Sequence, residues 1–221
     1  MEKREEMFLG ALIEGTRREV AMEGGEMKPV DMAAYERVAR WIATEMETPT
    51  GKGLLMVGGV GTGKTLMATR VLPGIVSSFC RPDSRVYGGP LRRIYDVATL
   101  TAYELPESGY EAWARKRMAS MPRGRDIMEG VYALRMVTID DMGAEFRSQY
   151  ENDRMFAFID GLYRRRSVVK TVVTTNLTSK QLIEKYGLRT CDRLLSMCVI
   201  VVFGGGSYRD TGKFYGAINN N

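Results

Sequence analysis

Eight consecutive residues constrain this chain more than anything else in it: Gly58, Gly59, Val60, Gly61, Thr62, Gly63, Lys64 and Thr65 follow the order G-x-x-x-x-G-K-[ST]. Glycines let a backbone fold back closely enough for several N–H groups to face one anion. An apolar run at 54–57 precedes the loop, and a helical pattern starts at Lys64. Strand, glycine loop and helix is the context such a loop needs, because the helix start adds the positive end of its dipole. The residues therefore read as a phosphate-binding loop for ATP with magnesium. Residues 58–63 would wrap the phosphates and Lys64 would reach the β- and γ-phosphates. The Thr65 hydroxyl would bind Mg2+, and Leu66 would follow it into the helix.

Such a loop requires a parallel sheet behind it, and the remaining pattern supplies one. Apolar strand patterns fall at 54–57, 93–97, 136–139, 172–175 and 197–203. Helical periodicity falls between them, at 64–71 (ended by Pro73), within 107–129, at 152–164 and at 179–186. Strands alternating with helices give an α/β chain with a mainly parallel sheet covered on both faces. Before the loop, Phe8, Leu12 and Val20 could share one helix face, weakened by Gly10 and Gly15. Pro29 and Asp31 then open a second helix with Met32, Tyr35, Val38, Ile42 and Met46 on one side. The expected division is a short helical N-terminal segment at 1–50, an ATPase domain at 51–210 and a flexible tail at 211–221.

Three further positions suit nucleotide chemistry. The strand at 136–139 delivers Asp140 and Asp141 to its C-terminal end, the Walker B arrangement. Asp140 would hold the magnesium shell and Asp141 would polarise the attacking water; the plain alternative is a surface turn before Gly143. Thr174-Thr175-Asn176 ends the next strand, where Asn176 either orients that water or is an ordinary turn residue. Arg189 and Arg193 follow, one of which could reach a neighbouring subunit's γ-phosphate, or simply pair with Asp192 or Glu184. The 221 residues contain no histidine, which excludes His-based acid–base chemistry, His zinc sites and Ser-His-Asp triads. Three scattered cysteines argue for a reducing compartment. No targeting segment or run of spanning length is found, so a cytoplasmic chain without membrane contact is expected. A net charge of +5 allows phosphate-rich partners. Arg115, Lys116, Arg117, Arg123 and Arg125, beside Tyr110 and Trp113, read either as a DNA contact or as a solvated helix face. The run Arg164-Arg165-Arg166 reads the same two ways.

Taken together these residues resemble the helicase-loader ATPases of bacteria and phages, the DnaC-like and IstB-like branch of the AAA+ superfamily. The resemblance runs from about Gly53 to Arg209. It rests on the phosphate loop, Ile139-Asp140-Asp141-Met142-Gly143-Ala144-Glu145, Thr174-Thr175-Asn176-Leu177, Tyr186-Gly187, Asp192-Arg193-Leu194 and Ser207-Tyr208-Arg209. It implies an AAA+ P-loop NTPase fold: a five-stranded, mainly parallel sheet flanked by helices, with the phosphate-loop strand central and no separate lid domain. It implies Asn176 as the first sensor, Arg193 as an arginine finger acting on a neighbouring subunit, and Arg209 as a second, nucleotide-facing sensor. It further implies self-association through Arg193, assembly on a replicative ring helicase and contact with single-stranded DNA. Two departures stand out. Only about fifty residues precede the loop, too few for the longer helicase-gripping domain of many relatives. Asp141 replaces the glutamate common in the superfamily, and its shorter arm predicts slow turnover. The rivals are an IstB-type transposition ATPase acting on target DNA, a P-loop small-molecule kinase, and an adaptor that holds ATP without hydrolysing it.

Overall fold

The structure, a computed structural model, describes residues 2–79, 96–119, 134–146 and 148–204. Two helices come first, α1 (Glu2–Met22) and α2 (Met32–Glu47). Asp31 starts α2 by accepting the Ala34 N–H at 3.2 Å, and Tyr35, Val38, Ile42 and Met46 form its buried stripe while Met32 stays exposed. In α1 the buried side is Phe8, Leu12 and Thr16, with Val20 only half-buried. The Thr16 hydroxyl donates to Leu12 O and meets the Tyr35 hydroxyl at 2.7 Å, tying the two helices together. Gly15 has a packing reason: a Cβ there would stand 3.1 Å from Val71.

Five strands follow: β1 (Gly53–Gly58), β2 (Asp96–Thr101), β3 (Leu134–Met142), β4 (Lys170–Thr175) and β5 (Cys198–Phe203). All pair in parallel, in the order β2-β3-β4-β1-β5. The phosphate-loop strand is thus an inner strand bonded on both sides, but β4 holds the middle place. The second strand is described from Asp96 onward; the first three residues of the 93–97 expectation lie outside the described ones.

The helix after the loop also differs from expectation. It runs as α3 (Lys64–Leu66), a π-helical turn (Met67–Val71) and α4 (Leu72–Phe79), straight through Pro73. The wider turn, in which the Leu72 N–H bonds back to Met67 O, changes the hydrogen-bond register one residue before the proline that has no N–H to give. On the other side lie α5 (Gly109–Ala119), α6 (Gln149–Arg164) and α7 (Ser179–Met197). Helix α7 is longer than the 179–186 pattern because two helical stretches abut at Gly187, whose φ of 78° and ψ of 162° make the break.

Alternation along the strands sorts the core into two clusters. Leu54 and Met56 of β1, Met136 of β3 and Val172 of β4 face α1, α2 and the loop helix. Leu55, Val137, Ile139 and Val173 face α5, α6 and α7. Residues 2–47 therefore share a hydrophobic core with the phosphate-loop strand. Among the described residues, no helix is long and apolar enough to cross a membrane.

Candidate functional site

In a parallel sheet every strand ends on the same edge, so the C-terminal ends of β1, β3 and β4 lie side by side. The loop leaves β1 there. Gly61 and Gly63 take φ of 82° and 90°, a left-handed backbone that only glycine adopts freely. The Thr62 hydroxyl closes the loop on Gly59 O at 3.0 Å. Lys64 is 4% exposed, and its ammonium donates to Gly59 O at 2.7 Å, Gly58 O at 3.0 Å and Asn176 Oδ1 at 2.8 Å. Thr65 and Val60 are exposed at the loop, and Leu66 is half-buried.

The face of the sheet under the loop helix turns polar toward this edge. Along β3 it reads Met136, Thr138, Asp140; along β4 it reads Val172, Thr174. Asp140 is buried and receives the Thr174 hydroxyl at 2.6 Å on Oδ1. The ladder between β3 and β4 shifts register between Ile139 and Met142, and Asp141 adopts φ of 53° within that irregularity. Left-handed backbone at a non-glycine residue costs about 1–3 kcal/mol and persists where surroundings dictate it. Here the Asp141 N–H is held by Thr174 Oγ1 at 2.9 Å, and its carboxylate accepts from Asn176 Nδ2 at 3.4 Å. Lys64, Asn176 and Asp141 thus form one hydrogen-bonded chain, so three of the residues singled out in sequence are brought together.

The turn beyond β3 is secured by residues that spacing alone left without a role. Glu145 is buried; its carboxylate accepts the Gly143 N–H at 3.1 Å and the Tyr186 hydroxyl, and meets Lys185 Nζ at 3.1 Å. Lys185 also donates to Gly143 O at 2.9 Å and Glu145 O at 2.6 Å. Burial first, then the hydrogen bond and negative charge of Glu145, push the Tyr186 hydroxyl far above its ordinary pKa, so it stays a donor. Gly143 must be glycine: at φ of 111°, a Cβ would stand 2.5 Å from Leu177. The acidic turn after Asp141 is therefore fastened to the first half of α7.

The second half of α7 carries Arg193. Its described contacts are with α6, not with residues 58–65: it pairs with Asp160 at 2.5 Å and lies over the rings of Phe156 at 5.1 Å and Tyr163 at 5.4 Å. Neither Asp192 nor Glu184 is its partner; the acid that holds it is thirty-three positions away. Arg189 lies over Phe156 at 4.7 Å, so both arginines share one α6–α7 surface. Burial raises the pKa of Asp160, but the hydrogen bonds and charges of Arg193 and then Arg164 outweigh it and leave the carboxyl below its ordinary value. Arg209 lies outside the described residues, as do Arg123 and Arg125. On α5, Tyr110 is buried edge-on against Phe158 and so is not available to stack on bases. Trp113 is half-buried with Arg117 over its ring at 5.9 Å, while Arg115 and Lys116 are exposed. The arginines ending α6 take local roles: Arg164 pairs with Asp160 and Arg166 donates to Tyr163 O at 2.8 Å.

These groups fit a magnesium nucleotide. The left-handed glycines and the helix start suit a polyphosphate, and Lys64 adds a cation at the same place. The Thr65 hydroxyl and Asp140 carboxylate are hard oxygen ligands of the kind Mg2+ takes.

No family model matches the chain, and no curated protein matches it in sequence. Solved structures do match in fold. The DnaC helicase loader superposes with a TM-score of 0.52 at 18% identity, over 80% of this chain and 94% of that one. The Aeropyrum pernix ORC1 protein in complex with DNA superposes with a TM-score of 0.50 at 17% identity, over 88% of this chain and 50% of ORC1, so the present chain spans about half of ORC1. The chain thus shares its fold, a five-stranded parallel sheet flanked by helices, with the DnaC helicase loader, as the resemblance implied.

Proposed function

We propose that this chain is a cytoplasmic ATPase of the helicase-loader type, acting on a replicative ring helicase and single-stranded DNA. The observation that carries the nucleotide half of this reading is the chain from Lys64 through Asn176 to Asp141, which joins three strand ends at one sheet edge. The loader half is supported by the fold shared with a helicase loader and with an ORC1 protein that was solved on DNA.

In this reading residues 58–66 cradle the phosphates, with Lys64 exchanging its backbone and Asn176 contacts for phosphate oxygens. Thr65 and Asp140 hold Mg2+, which when bound neutralises charge on the β- and γ-phosphates. Asp141 aligns the attacking water, and Asn176 links it to the phosphate end. Arg193 completes the site of a neighbouring subunit, presented on a surface already ordered by Asp160, Phe156 and Tyr163. Arg209 belongs to the same site as a second sensor. Residues 51–210 form the ATPase unit, 1–50 a helical brace against it, and 211–221 a tail.

The test is a pull-down with ATP bound, joined to ATPase assays with and without single-stranded DNA. Recovery of a hexameric helicase and a DNA-stimulated rate support the loader; recovery of a transposase with duplex DNA moves the assignment to the IstB type. Phosphoryl transfer to a nucleoside would overturn the ATPase reading.

A further inference from the structure

Thr174 is fully buried, and its hydroxyl makes two bonds at once. It accepts the Asp141 N–H at 2.9 Å and donates to Asp140 Oδ1 at 2.6 Å. A hydroxyl has one proton, so once it accepts from the main chain, that proton is committed to the carboxylate. The contact sits where β3 and β4 lose their regular register, between Ile139 and Met142. In that stretch a side-chain oxygen serves the Asp141 N–H, and the neighbouring Thr175 hydroxyl donates to Met142 O at 2.6 Å in the same manner. Thr174 therefore combines two roles, only the first of which a ladder carbonyl could fill. It supports the left-handed turn at Asp141, and it fixes which oxygen of Asp140 is occupied.

From this we infer that Thr174 is a positioning residue for the metal site. It holds Asp140 Oδ1, so that the other carboxylate oxygen would remain to hold the magnesium ion. This rests on the magnesium–nucleotide reading above. Partners of this kind, one bond removed from a metal, typically carry 10–100-fold in metal affinity. Valine nearly matches threonine in shape but has no proton to give, and it leaves the Asp141 N–H without its acceptor. Serine keeps the hydroxyl and drops only a methyl group.

The experiment follows binding of a fluorescent ATP analogue while MgCl2 is titrated, and again in EDTA, for the full chain and Thr174→Val, Thr174→Ala and Thr174→Ser. The expected result is a rise of about tenfold in the magnesium concentration for half-saturation in the Val and Ala variants. Their affinity in EDTA should stay within about twofold of the unaltered chain, and Ser should restore the magnesium response. A magnesium response unchanged in both Val and Ala overturns the inference, as does a Ser variant as defective as Val. Loss of binding in EDTA by both Val and Ala also overturns it, since Thr174 would then serve the fold rather than the metal. If the unaltered chain binds no nucleotide under either condition, the nucleotide reading itself fails, a result separable from the others.

Discussion

The two faces of the sheet are both packed with apolar side chains, yet they use charge differently. On the face covered by α1, α2 and the loop helix, the charged pair is sealed. Glu45, 1% exposed, pairs with Lys170 and also accepts from the Thr50 N–H, pinning α2 to the start of β4. On the face covered by α5, α6 and α7, charge comes in two tiers. Glu145 is buried and Lys185 half-buried against the Asp141 turn, while Arg193 and Asp160 sit toward the surface at 18% and 16% side-chain exposure. One face holds the machinery of a single chain together. The other links the Asp141 turn, through α7, to the Arg193 surface, which in the proposed reading faces a neighbouring subunit. Substitutions on the first should therefore alter folding or binding by the lone chain, and substitutions at Arg193 only what assembled chains do.

Arg193→Ala gives the sharpest division. Nucleotide affinity of the isolated chain should change by less than about twofold, while assembly- or DNA-stimulated hydrolysis should fall about 10³-fold, the usual weight of an arginine finger. An unchanged stimulated rate would remove Arg193 from the site. Next, Glu45→Gln leaves Lys170 buried without its carboxylate and should lower unfolding free energy by about 3 kcal/mol in denaturant titrations. A loss below about 0.5 kcal/mol would mean the pair is better solvated than its burial indicates. Lys64→Ala should weaken ATP binding about 100-fold by calorimetry, since charge-assisted contacts to the phosphates are removed.

The smallest effect concerns acid. The Asp160 pKa is held below its ordinary value of 3.8, so its stabilising contribution is full above the unfolded value and disappears as pH falls through the lowered folded value. The stability gap between the unaltered chain and Asp160→Asn should be under about 1 kcal/mol at neutral pH, because the pair lies near the surface. It should shrink in acid below about pH 4, and a gap constant with pH would show that the contact acts through shape alone.

What could be read in the sequence divides along the same line. The placing of the loop, Asp140, Asp141 and Asn176 at strand ends was legible because strands announce themselves by short apolar runs. Thr174 carried a faint signal: it is two residues after Val172, on the same side of its strand, in a position otherwise apolar. Asp160 gave none as the partner of Arg193, because α6 and α7 meet only after β4 intervenes, and local spacing does not encode that meeting. The passage of the loop helix through Pro73 was missed for a related reason. A proline ends a helix by local rules, but here a π-turn alters the hydrogen-bond register just before it.

The most direct test of a site divided between subunits is complementation. Lys64→Ala chains lack the loop cation but keep Arg193; Arg193→Ala chains keep the loop but lack the finger. Each alone should hydrolyse ATP at background rate in the presence of the DNA or helicase that stimulates the unaltered protein. Mixed in equal amounts, they should recover activity well above the sum of the two, because one chain supplies the nucleotide and the other the arginine. A mixture that stays at that sum, with both variants shown to assemble, would contradict the shared site.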